Sequence, residues 1–214
     1  MLYKRQIEIV FNFILSSLEI IESIAVIVAS IIAIYSLNSW RREAKWKRKY
    51  ELAEEALALF YIAKHRLEQI RSPLGFTSEG DSRPKEDYEE LKEKKILNTA
   101  YIPRERFEKD NEPFLKLQAL KFRFITVFGK ETAKYFDGIT ILLHEIFWAA
   151  KDIAEIQLGE KEFVDRKEKG EEVKRLNRIV YLNYSKPQED LHGMKISNLI
   201  EEIEQYCNKI IKEK

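Results

Sequence analysis

The chain has one cysteine, seven glycines and five prolines in 214 residues, and its charges nearly cancel. Each scarcity excludes something. A lone Cys207 cannot close an intrachain disulfide, which fits a reducing compartment rather than a stapled secreted scaffold. Few glycines and prolines with 34% charged residues argue against a turn-rich sheet protein and for long helices. Thirty-seven Lys and Arg against 36 Asp and Glu leave a net charge of +1, so no general nucleic-acid binder is indicated. Histidine is scarce too: His65, His144 and His192 are scattered, and with one cysteine their spacing assembles no metal site. No cofactor is implied.

Catalytic motifs are also missing. Gly75 to Gly80 has the glycine spacing of a phosphate-binding loop, but Asp81 stands where lysine belongs and would repel phosphate. His144-Glu145 begins like H-E-x-x-H, but Trp148 takes the place of the second histidine. G-x-S-x-G is absent. The expectation is a protein that is not an enzyme, with no catalytic, cofactor or metal residue to name.

What is present is a long hydrophobic run. Residues 23–40 (SIAVIVASIIAIYSLNSW) carry no charge, and RREAKWKRK follows at once. A bilayer core about 30 Å thick needs roughly 20 apolar residues in a helix, a length that residues 20–37 meet. Tyr35 and Trp40 fall where aromatic belts lie. Arg41, Arg42, Lys45, Lys47, Arg48 and Lys49 outweigh Lys4 and Arg5 on the other side. The positive-inside rule then places the amino terminus outside and the carboxy-terminal bulk in the cytoplasm, at the inner membrane. The basic block would also attract anionic head groups. A cleaved signal peptide fits poorly, because the run is long and no small-residue cleavage site stands out.

The membrane segment has a polar stripe. At 100° per residue, Glu8, Asn12, Glu19, Glu22, Ser23 and Ser30 fall within about 100° of one another. Acids at membrane depth face protein or water rather than lipid. One reading is a homo-oligomer with inward-facing stripes, Glu19, Glu22, Ser23 and Ser30 lining a pore or seam. The other lays residues 1–18 along the outer interface, where both glutamates stay wet. The residues allow both.

Beyond the membrane, residues 46–67 show a heptad-like seam of Trp46, Tyr50, Ala53, Leu57, Phe60, Lys64 and Leu67. Residues 72–84 (SPLGFTSEGDSRP) read as a loop. Residues 85–99 predict a short helix on Tyr88, Leu91 and Ile96, and Pro103 predicts the start of another. Pro113 predicts a kink or restart, after which Leu117, Leu120, Phe124 and Phe128 run to a stop at Gly129. Residues 132–158 carry the widest apolar stripe, and a final helix carries Ile196, Leu199, Ile203, Tyr206 and Ile210. The expected fold is all-α: an N-terminal transmembrane helix (residues 1–40), a juxtamembrane stalk (41–71) that belongs to the bundle, and a cytosolic helical domain (72–214), with four or five helices in the bundle. Arg66 and Arg71, near Tyr61 and Pro73 at the end of the stalk, have two readings: an anion-binding pair, or charges solvating a helix end.

An N-terminal membrane helix, then Y-S-L-N-S-W-R-R-E (residues 35–43), then a helical domain resembles a broad group of uncharacterised bacterial membrane proteins. More loosely, the layout is similar to the membrane accessory proteins of type VI-B CRISPR systems and to membrane effectors of phage defence. That resemblance implies an oligomer that perturbs or permeabilises the inner membrane. The R-x4–6-H motif of HEPN-type ribonucleases, ascribed to some of these proteins, is absent, since no histidine has an arginine at those offsets. The alternative expectation is a membrane-tethered adaptor whose helical domain holds a cytosolic protein partner.

Overall fold

A computed structural model gives an all-helical chain. It describes the backbone of residues 2–84 and 89–212, and side chains from residue 21 onward within those bounds, residue 23 excepted. Helix α1 covers Leu2–Ile70, 69 residues without a break. The absence of glycine and proline before Pro73 removes every residue that would interrupt it. Five further α-helices follow: α2 (Leu91–Lys109), α3 (Glu112–Phe128), α4 (Ala133–Leu158), α5 (Arg166–Val180) and α6 (Leu191–Lys212). No strand occurs among the described residues.

The chain divides into two compact units, Met1–Lys49 and Tyr50–Lys214. In the first, the described apolar side chains of α1 are exposed, apart from the half-buried Trp46. In the second, α1 contributes Leu52, Ala53, Ala56, Phe60, Ala63, Leu67 and Ile70 to the main core. The seam expected from the heptad is therefore partly displaced. Ala53, Phe60 and Leu67 are buried, but Leu57 and Lys64 are only half-buried, and Ala56 and Ala63 take the inner positions. Small side chains there leave room for the rings that meet α1, and the long stem of Lys64 reaches to the edge of the core. Phe60 and Phe136 lie with centroids 5.0 Å apart, Phe136 and Phe124 5.4 Å apart, and Phe124 and Tyr206 6.2 Å apart. These tilted pairs join α1, α4, α3 and α6. A smaller cluster of Ala149, Ala150, Ile156, Leu176 and Val180 joins α4 to α5.

Pro113 sits in the first turn of α3, where its missing N–H costs nothing, and Gly129 (φ 103°) ends that helix. Pro103 does not begin a helix. It lies buried inside α2, which runs through it from Leu91 to Lys109. Tertiary burial there outweighs the lost backbone hydrogen bond. The expected helix start at residues 85–88, with Tyr88, lies outside the described residues.

Candidate functional site

Three features of the chain are candidates. The first is the apolar stretch of α1. Ile21, Ile24, Val26, Ile27, Val28, Ile31, Ile32, Ile34 and Leu37 are 49% to 62% exposed. With the exposed Ala25, Ala29 and Ala33 they surround most of the helix and none is covered, unlike the one-sided stripe of a surface helix. It is the one helix among the described residues long and apolar enough to span a membrane. Tyr35 and Trp40 are 72% and 66% exposed at its end, and Arg41, Arg42, Lys45, Lys47, Arg48 and Lys49 are exposed beyond it. Of the polar stripe, Glu22 and Ser30 are exposed, about 80° apart around the helix axis. The side chains of Glu19 and Ser23 lie outside the described residues. Ser30 Oγ donates to Val26 O at 2.8 Å, so its hydroxyl is satisfied within its own helix.

The second feature is a buried polar clasp in the second unit. Arg71 follows α1 directly and is fully buried. Its Nη1 and Nη2 donate to Asp190 Oδ2 and Oδ1 at 3.0 and 2.6 Å. Its Nε donates to Ile179 O at 2.8 Å, and Nη2 also reaches Arg178 O (2.9 Å) and Tyr181 O (3.1 Å). Those carbonyls end α5, where orphan acceptors and the helix dipole both favour a cation. Asp190 in turn accepts from Gly193 N–H at 2.9 Å, which caps the start of α6. One guanidinium thus ties the ends of three helices together. Arg66 is engaged as well, with Asp110 and Gln69. Arg71 is therefore neither an anion site nor a solvated helix end, because it is fully buried and its charge is already met by Asp190 and three carbonyls.

Beside the clasp lies His192, 3% exposed. Glu145 Oε2 comes within 3.3 Å of Nδ1, but neither ring nitrogen has a hydrogen-bond partner. Burial first, then the Arg71 charge, pulls its pKa down from 6.5 to about 4. Burial likewise pushes the Cys207 thiol up to about 12, so this cysteine is an inert core residue.

A second arginine holds the loop after α1. Arg106 on α2 donates to Ser72 O (2.6 Å), Ile70 O (3.2 Å) and Leu74 O (2.8 Å), and pairs with Glu79 at 2.6 Å. Glu105, also on α2, accepts from Gly80 N–H. Lys109, 2.6 Å away, is the main reason its carboxyl sits below the ordinary range, with Gly80 helping and burial opposing. Gly80 has φ 86°, and a Cβ there would stand 2.0 Å from the Asn98 carbonyl oxygen.

The third feature is an open groove of about 560 Å³ between α2 and α4. Tyr101, Phe107, Phe147 and Trp148 give it aromatic walls, with Trp148 62% exposed. The His144 and Trp148 rings are 5.7 Å apart. Arg104 and Lys151 stand at the rim, paired with Glu108 and Glu155 at 3.2 Å each. His144 is thus an exposed groove residue. The Tyr101 hydroxyl, also in the groove, donates to Glu108 Oε2 at 2.7 Å.

Asp190, Arg106, Glu105 and the groove went unread in the sequence. Asp190 three residues before Gly193 carries a capping signal that sequence could have shown; the others depend on neighbours far along the chain. Comparison with protein-family models, with curated proteins and with solved structures finds no match.

Proposed function

We propose that this chain is a membrane-anchored protein that assembles into an oligomer and perturbs or permeabilises the inner membrane, its helical bundle lying in the cytoplasm. The observation that carries the reading is the α1 stretch from Ile24 to Leu37, whose isoleucines, valines and leucine are 49% to 61% exposed with nothing packed over them. Water does not tolerate a rod of that kind, whereas a bilayer does. A single helix cannot enclose water, so permeability would come from a symmetric ring of copies. Glu19 and Glu22 supply the polar stripe such a ring would turn inward. Antiviral defence is the setting that the layout's resemblance to phage-defence effectors suggests. Replacing both glutamates, Glu19→Leu with Glu22→Leu, should abolish dye leakage from cells or vesicles and change particle size in detergent. Unchanged leakage and size would remove the reading.

The groove with its exposed Trp148 favours a second reading, a tethered adaptor whose bundle captures a cytosolic protein. On that reading Trp148→Ala should release the partner and leave membrane leakage untouched.

A further inference from the structure

The loop between α1 and α2 puts two large apolar side chains into water and holds them there. Leu74 is 79% exposed and Phe76 82% exposed. A slack loop would fold them back onto the protein. This one is fixed by Arg106 at the Ser72 and Leu74 carbonyls, by the Arg106–Glu79 pair, and by Glu105 at Gly80. Its residues 72–80 are thus a preformed knob, and preformed apolar knobs are what protein interfaces use as anchors.

The same unit carries the matching socket. The groove between α2 and α4 is aromatic-walled, about 560 Å³ in volume and open to solvent, with Trp148 62% exposed. Neither Leu74 nor Phe76 lines it in their own chain. The Gly80 tether, together with the bond from Asn98 to Asp81 (2.8 Å), fastens the loop to α2. The signs of charge are compatible: exposed Asp81 travels with the knob, and Arg104 and Lys151, each exposed and paired within the chain, stand at the rim.

We infer that Leu74 and Phe76 of one copy seat in the α2–α4 groove of a second copy of this chain. Knob and socket are different patches, so the contact is head-to-tail, the type that closes rings. Anchoring in one bilayer would raise the effective concentration of the two halves and let a modest contact suffice. The inference rests on the oligomer proposed above and names the surface through which its soluble parts meet.

The test uses the full chain in membranes. Two differently tagged copies are co-expressed, one with Phe76→Cys and the other with Trp148→Cys, and mildly oxidised. Cys207 is buried and adds no surface background. The expected result is a mixed-tag disulfide dimer at least several-fold above a control pair of Leu91→Cys with Trp148→Cys, Leu91 being equally exposed but off the knob. Adding Leu74→Ser to the Phe76→Cys copy should reduce it; that site is exposed, so the variant keeps its fold. A mixed dimer no stronger than the control overturns the inference; if wild-type particles are still oligomeric by mass photometry, the membrane reading survives it. Monomeric wild-type particles overturn both.

Discussion

Within α1, the same residue types have opposite fates. From Ile21 to Lys49 the isoleucines and valines are exposed; from Tyr50 on, Ala53, Ala56, Phe60, Ala63, Leu67 and Ile70 line one buried face while Glu51, Glu54 and Glu55 stay outside. The helix period is the same in both halves. What differs is whether polar residues interrupt the apolar ones often enough to leave a single stripe. The first half therefore suits lipid and the second suits other helices. Arginine follows the same division: Arg41 and Arg42 are exposed, whereas Arg71 is fully buried against Asp190.

The sharpest way to break this comparison is to charge the first half. Val28→Lys with Ile32→Lys should cost about 5–7 kcal/mol of membrane insertion, at about 2.5–3.5 kcal/mol per lysine near mid-membrane. Alkaline carbonate should then extract the chain, while heat unfolding of the second unit stays unchanged. If the chain stays in the pellet, lipid is not what covers that surface.

Next in size is the clasp. Arg71→Met leaves Asp190 buried and unpaired, which should destabilise the second unit by about 3–5 kcal/mol in denaturant unfolding. Arg71→Met with Asp190→Leu should recover part of that, because no lone charge remains. Arg41→Met, in the exposed block, should leave unfolding where it was.

Acid should distinguish the two units in a third way. The His192 imidazole takes up a proton near pH 4 in the fold but near 6.5 once unfolded, so the unfolded state binds protons first as pH falls. Stability is then full above about pH 6.5 and declines toward pH 4, by about 3 kcal/mol from this group alone. His192→Leu should flatten the profile between pH 6.5 and 4.5. It also removes two buried ring nitrogens without partners, so it should raise the melting temperature at pH 7. A melting temperature that drops at pH 7 would mean His192 makes a bond essential to the fold.

The smallest effect belongs to the rim of the groove. Arg104→Ala breaks an exposed i,i+4 pair with Glu108 and should change stability by about 0.5 kcal/mol or less. A larger loss would show that the rim is coupled to the core.

Local patterns were easy to read where one helix carried its own boundary signals. The apolar stripe of α4 and the stop at Gly129 are cases in which period and cap sit within one segment. Pro103 misled because a local rule was overruled by burial. The heptad through Lys64 misled by one position, since Ala56 and Ala63 gain their inner places from the aromatic rings of α3, α4 and α6, which the α1 sequence does not contain.

Sequence alone determined the all-helical class and the apolar character of residues 23–40, because helix propensity and hydrophobic period are properties of neighbours along the chain. Only the tertiary structure decided that Arg71 is a clasp, that Arg106 holds up the Leu74–Phe76 knob, and that α2 and α4 leave a groove between them. The partner of Arg71 lies 119 residues away, and a pairing over that distance is set by how helices pack, not by any spacing a reader of the sequence can count.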